Sequence, residues 1–350
     1  MKLERIELFS FHLPLVAAMR VKGRDLRHRD GILIRVTDDK GQSGWGEASP
    51  LPGFSGEEIS DVREALQELA ARHVGHDAAW DTIDVAELPP SARFGIQSAL
   101  LNLVGSPAAS ILSSSASARI ALNGLLAGEL ADMEAQAERL IAAGYTCVKI
   151  KVGRKTPSED AELVRHMAAR LGTCRIRLDA NQAWSLEDAK VFHKALGGTP
   201  IDYLEEPLRN VTQIPDLIAA TGLPIALDET IGNTPMPVWS AWVGIKALVV
   251  KPTLLGGLQR VKRLADVATE KGFQLVVSSS FESGIGLGML VQLAAAFSGE
   301  QVPVGLDTYR WLSADVLEER LPLHGPVVEV SRVEALTRRV KMEQLQALKP

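Results

Sequence analysis

Apolar and polar positions alternate at the start of the chain. Residues 3–15 (LERIELFSFHLPL) and 31–39 (GILIRVTDD) carry the two-residue period of strands with one covered face, and DDKG offers a turn between strands. Residues 56–74 change to helical spacing, with Ile59, Val62, Leu66 and Leu69 on one stripe. Residues 92–105 (ARFGIQSALLNLVG) predict a second helix, and the Ser/Ala-rich stretch 106–118 predicts a linker. The expected first unit is an α+β domain over residues 1–115.

The rhythm then changes. Short apolar runs recur as ARIALNGLL, CVKIKVG, RIRLDAN, IDYLEEP, PIALDET, ALVVKPT, QLVVSSS and VPVGLD, with amphipathic stretches such as ELADMEAQAERLIAAG between them. Strands alternating with helices predict an α/β fold of the parallel barrel type over residues 116–309. Residues 310–350 do not continue the period; HGPVVEVSR (324–332) reads as a strand packing back on the first domain.

Alternate residues of a barrel strand face the interior and the surrounding helices. If the β-branched and leucine positions face the helices, Lys149 and Lys151 point inward, as do Arg175, Arg177, Asp179 and Asn181, then Asp228, then Lys251. In IDYLEEP the pattern allows either Glu205 or Glu206 to be the inward residue. A lone K-x-K is ordinarily a solvated face, and a lone Asp at a strand end is ordinarily a cap. Five consecutive strands ending in Lys, Asp, Glu, Asp and Lys are harder to explain that way, because buried charges must be paired or metal-bound and this fold gathers its active sites at those ends.

Length and charge narrow the reading. A chain of 350 residues suits a large α/β domain plus a smaller one, and a net charge of −5 gives no reason to expect nucleic acid. The N-terminus has no continuous apolar core of a signal peptide, and no run is long enough to span a bilayer, so a cytoplasmic protein is expected. Cys147 and Cys174 lie in apolar runs and read as free thiols of a reducing compartment. The pattern does not choose between monomer and dimer.

Three carboxylates from adjacent strands form an all-oxygen site for a hard octahedral cation, Mg²⁺ or Mn²⁺; zinc is disfavoured because no His or Cys accompanies these strand ends. The flanking lysines suit proton abstraction beside a carboxylate. A lysine base must be neutral, which a like-charged neighbour and desolvation both favour, and a divalent cation stabilises the enediolate that forms.

The segments KIK, LDANQAW, LEEP, LDET and VVKPT resemble the muconate-lactonizing subgroup of the enolase superfamily. Sites of that superfamily pair a Lys or His base with Mg²⁺, the same combination that the charged set suggests. The resemblance implies a (β/α)7β TIM-like barrel beneath an N-terminal α+β capping domain. It implies Asp179, Glu205 and Asp228 as metal ligands, Lys151 as acid/base catalyst and Lys251 as the lysine on the opposite face. GWGEASPLPGFSGE (44–57), FGIQSAL (94–100), SSSFESGIGL (278–287) and GLDT (305–308) look like the enterobacterial o-succinylbenzoate synthase family. That resemblance implies a small dicarboxylate substrate, dehydrated in menaquinone biosynthesis.

Lys149, Asn181, Ser279, Ser280 and Arg20 are the expected substrate-side residues. Arg20 belongs to a basic stretch, 20–31, that resembles a mobile capping loop; a solvated basic loop is its rival. Ser283 could equally be a helix cap, Glu206 and Glu229 are expected in supporting ion pairs, and the seven histidines receive no role. Two alternatives stand beside dehydration. One is an N-acylamino acid racemase or dipeptide epimerase, which also needs opposed lysines, although GLDTY lacks the D-x-D of such epimerases. The other is a barrel that binds without catalysis.

Overall fold

The structure is a computed structural model that describes residues 1–21 and 23–348. The chain opens with a long antiparallel ribbon, Leu3–Val21 (β1) and Arg24–Asp38 (β2), followed by Ser43–Ala48 (β3). Helices Ile59–His73 (α1) and Pro90–Leu103 (α2) cover this sheet. Val62, Leu66 and Leu69 of the predicted stripe are buried with Ile32, Ile34 and Val36. The approach of α2 to β3 requires glycine: a Cβ on Gly46 would stand 1.9 Å from the Gly95 carbonyl oxygen.

The stretch expected as a linker contains a short helix, Ala108–Leu112 (α3), whose Ala108 and Ala109 are buried. The Ala109 amide donates to Gln292 Oε1 at 3.0 Å. The small residues here do not punctuate the chain; they let this helix sit close against its neighbour.

The first barrel run divides into Arg119–Ala121 (β4) and Gly124–Leu126 (β5). Then strands and helices alternate: Leu130–Ala142 (α4), Cys147–Lys151 (β6), Pro157–Leu171 (α5), Arg175–Asp179 (β7), Leu186–Leu196 (α6), Tyr203–Glu205 (β8), Ile214–Thr221 (α7) and Ile225–Leu227 (β9). After the short helices Glu229–Asn233 (α8) and Met236–Trp239 (α9) come Ile245–Val250 (β10), Pro252–Leu255 (α10), Leu258–Lys271 (α11), Gln274–Val277 (β11) and Gly284–Phe297 (α12). Local chemistry sets several starts. Thr156 with Glu159, and Ser185 with Asp188, form reciprocal capping boxes at α5 and α6.

Strands β5 to β11 form one parallel sheet in sequence order. The eighth run is reduced to two parallel bridges, Val304 to Leu122 and Gly305 to Ser278, which join the sheet's two edges. The predicted facing holds. Ile176, Leu178, Ile225, Leu227, Leu248 and Val250 pack outward in the main core, while Tyr203, Ala226, Ala247, Val249 and Val276 form a separate cluster inside the barrel.

The C-terminal segment returns to the first sheet as expected, but not through the strand expected to do so. HGPVVEVSR gives Val327–Glu329 (β12), which pairs antiparallel with β4 of the barrel region, and then Val330–Thr337 (α13). The strand that returns to the first sheet is Gln346–Ala347 (β13), beside Phe9 and Ser10 of β1.

Candidate active site

Five consecutive strands, β6 to β10, bring a charged side chain to the same end, and β6 adds a second, Lys149. Lys151 pairs in register with Asp179, and Asp179 with Glu205, so strand geometry alone sets these residues side by side. The ambiguity in LEEP resolves in favour of Glu205, which pairs in register with Asp179 and lies on the inward face of Tyr203.

The three carboxylates and three lysines interlock. Lys149 Nζ lies 2.8 Å from both Asp179 Oδ2 and Glu205 Oε1. Lys151 Nζ lies 2.5 Å from Asp179 Oδ2 and 2.6 Å from Asn181 Oδ1. Lys251 forms an ion pair with Asp228 and stands 5.8 Å from the centre of the Phe54 ring. Burial alone would raise the Asp179 carboxyl, but Lys149 and Lys151 outweigh it and hold the group well below its usual range. Glu205 is pushed the other way by burial and by the charge of Asp179. Burial works against the Lys149 and Lys251 ammonium groups, yet the neighbouring carboxylates overcome it and keep both protonated. Lys149 therefore bridges Asp179 and Glu205 in addition to the place at the cleft expected for it.

Glu205 Oε2 is buried with no hydrogen-bond partner among the described residues. An orphaned carboxylate oxygen beside two further carboxylates is a poor end state for a buried site. An oxygen-seeking divalent cation fits this donor set, and Asp179, Glu205 and Asp228 are the residues that could hold it.

Among the described residues Glu206 makes no ion pair, contrary to expectation. It sits at a φ of 43° and accepts from the backbone N–H groups of Asp228 and Thr230, from the Thr230 hydroxyl and from Gln182. Burial pushes it up to about 7. It ties the end of β8 to the end of β9. Glu229 likewise forms a hydrogen bond, from Asn181 Nδ2 at 3.2 Å, and Asn181 is held on both sides, by Lys151 and Glu229.

These groups open into a cleft of about 690 Å³ between the barrel mouth and the N-terminal sheet. Lys149, Lys151, Asp179, Asn181, Lys251, Ser279, Ser280 and Arg20 all line it. Arg20 comes from a hairpin in which Met19 pairs with Leu26 and Val21 with Arg24, so the stretch expected as a loop is largely β-ribbon; Lys22 lies outside the described residues. Ser279 Oγ is engaged with Thr308 Oγ1 at 2.6 Å, whereas Ser280 Oγ is buried without a partner at the cleft wall. Ser283 caps α12 by accepting from the Ile285 amide.

Sequence reasoning missed the residues that fasten the N-terminal sheet to the barrel. Glu47 accepts from the Ser283 amide, the Ser283 hydroxyl, the Gly286 amide and the Ser49 hydroxyl at 2.5–3.0 Å. Arg29 is buried and donates to the carbonyls of Phe281, Pro50 and Ser49. In the sequence Arg29 is one member of the basic stretch 20–31, and nothing local separates it from the exposed residues around it. Its partner turn, SSSFESG, lies some 250 residues away, so no linear signal connects the two. Arg154, Phe54, Thr308 and Trp311 also line the cleft.

Known proteins match this arrangement. The Enolase C-terminal domain-like family matches residues 132–335, and the MenC, N-terminal domain family matches residues 3–103. The o-succinylbenzoate synthase of Klebsiella pneumoniae is 32% identical over 337 residues, covering 94% of this chain and 98% of that protein. The L-Ala-D/L-Glu epimerase of Bacillus subtilis superposes with a TM-score of 0.82 at 23% identity, covering 94% of this chain and 96% of that one. An enolase superfamily member from Roseovarius nubinhibens, solved with magnesium, gives 0.79 at 21% identity over 91% of both chains. Enolase superfamily proteins bind Mg²⁺. The chain belongs to the o-succinylbenzoate synthase family of the enolase superfamily.

Proposed function

We propose that this protein dehydrates 2-succinyl-6-hydroxy-2,4-cyclohexadiene-1-carboxylate to 2-succinylbenzoate, the aromatising step of menaquinone biosynthesis, in the cytoplasm. The observation that carries the reading is one ion-paired cluster: Lys151, Lys251 and Asp179 line the cleft beneath a family-matched N-terminal sheet, with Glu205 and Asp228 joined to the cleft-lining Lys149 and Lys251. We assign Asp179, Glu205 and Asp228 to a Mg²⁺ ion, with Mn²⁺ as a substitute. The ion supplies Lewis-acid charge for the substrate carboxylate.

In its neutral form Lys151 takes the proton alpha to the ring carboxylate. The electron pair left behind moves onto the carboxylate as an enediolate, then returns to form the ring double bond as the beta C–O bond breaks. The proton on Lys151 leaves with the hydroxide as water, so the amine is regenerated. Asn181 Oδ1, 2.6 Å from Lys151 Nζ, orients the amine. Lys251 presents a cation to the opposite face, where it favours both the enediolate and the forming ring. Ser279 and Ser280, beside the start of α12, are our candidates for the succinyl carboxylate.

Loss of diene absorbance in the presence of Mg²⁺ tests the reading. Activity should vanish with chelator and fall by about 10²- to 10⁴-fold in Lys151→Ala. Folded, metal-loaded protein that leaves the diene untouched would overturn it. The two lysines also support N-acylamino acid racemisation, so the same preparations should be given N-succinyl amino acids; racemisation without dehydration would favour that second reading.

A further inference from the structure

The histidines left without a role include two that the fold brings together. His12 lies directly across the ribbon from Asp30, and His28 lies two residues along β2 from Asp30, on the same outer face. His12 Nδ1 is 2.7 Å from Asp30 Oδ1, and His28 Nε2 is 3.3 Å from Asp30 Oδ2. The two imidazole centroids are 4.0 Å apart, and one ligand atom from each of the three residues falls within 4.8 Å of the others. We propose that His12, His28 and Asp30 form a second metal site, built for a zinc-class divalent ion and separate from the all-oxygen site in the barrel.

The donor types separate the two sites. Two imidazoles and one carboxylate suit Zn²⁺, Ni²⁺ or Co²⁺, while three carboxylates suit Mg²⁺. Ligand atoms about 2.0–2.2 Å from a tetrahedral ion stand roughly 3.5 Å from one another, a spacing that three atoms already within 4.8 Å reach by small side-chain adjustments. Three protein ligands leave the fourth position to water, which the exposure of these side chains, 45–63%, permits.

The backbone is fixed before any ion arrives. Arg29, between His28 and Asp30, points to the other face and is anchored on three carbonyls. It therefore holds the two β2 ligands in place, and the β1–β2 pairing holds the third. The site also has a consequential position. Regular pairing breaks between Pro14–His28 and Met19–Leu26, where the ribbon leaves the sheet, and its far end places Met19, Arg20 and Val21 on the cleft. An ion at His12, His28 and Asp30 would cross-link the two strands at the base of that projection.

Zinc itself is the probe. Full-length protein is saturated with Mg²⁺ to fill the barrel site, and Zn²⁺ binding is measured by equilibrium dialysis and calorimetry. One zinc per chain is expected. The His12→Ala/His28→Ala variant should lose affinity by more than the roughly 10- to 100-fold that loss of an outer-shell partner costs. Because both side chains are exposed, circular dichroism of the variant should match the parent; His28→Asn, which keeps a polar side chain, gives an independent second measure. Cobalt in place of zinc should show visible absorption that disappears in the same variants. Equal zinc affinity in parent and variants overturns the proposal, as does zinc binding abolished by Glu205→Gln alone, or no zinc bound by the parent. Zinc retention is read without turnover, so this result stands apart from the assigned dehydration.

Discussion

Replacing Glu47 with alanine should uncouple the N-terminal sheet from the barrel. Glu47 is completely buried, and its carboxylate sits on the N-terminus of α12, reached from another sheet. Alanine leaves the Ser283 and Gly286 amides without acceptors, and each unsatisfied buried N–H costs about 1–3 kcal/mol. The helix also loses an anion at its positive end, worth about 0.3–1 kcal/mol. The Ser49 and Ser283 hydroxyls can rotate, so little is added for them. Relief of the carboxylate's desolvation, which raises the Glu47 pKa, offsets part of the loss. The expected net destabilisation is about 2–4 kcal/mol.

Guanidinium unfolding followed by circular dichroism gives that quantity, and turnover on the same samples gives the functional cost. Turnover should fall as well, because Ser279, Ser280 and Phe281, just before α12, line the cleft. The pH dependence provides a second check. Glu47 in the folded protein titrates above its ordinary value of 4.5. Its contribution favours the folded state fully below that value and is lost as pH rises through the folded pKa. Stability of the parent relative to Glu47→Gln should therefore fall with rising pH across that interval. A Glu47→Ala protein within about 0.5 kcal/mol of the parent, the range of an ordinary surface substitution, would refute the reasoning.

Gly46→Ala should destabilise by about 3 kcal/mol or prevent folding, since its Cβ would meet backbone rather than a movable side chain; thermal unfolding reads it. Arg177→Met strands the Asp202 carboxylate and empties the barrel floor, where Arg177 also donates to the Pro303 carbonyl; about 3–5 kcal/mol should be lost in chemical denaturation. Glu205→Gln should keep the fold and weaken Mg²⁺ binding in calorimetry, because it removes one charge from the three-carboxylate set.

Much of the site was legible because β-structure has a period of two. Once the apolar residues of each strand are placed toward the helices, Lys149, Lys151, Asp179, Asp228 and Lys251 have to share the barrel's inner face. That inference needs no knowledge of which strands are neighbours. It fails for LEEP, where both parities put a glutamate inside; the parallel pairing of Asp179 with Glu205 decides between them. It also says nothing about Lys149 bridging two carboxylates, because a side-chain contact depends on distances across strands.

By itself, then, the sequence determined the alternation of strands and helices, the facing of each strand and the identity of the charged set, all properties of local periodicity. Tertiary structure decided what depends on residues far apart in the chain. It buried Arg29 against Phe281 and Glu47 against α12, turned a basic stretch into a ribbon over the cleft, and packed part of the Ser/Ala stretch as a short helix. It also brought His12, His28 and Asp30 to one point. The physical reason is that periodicity orients a side chain relative to its own backbone, whereas partners, burial and charge balance arise only when separate segments are packed together.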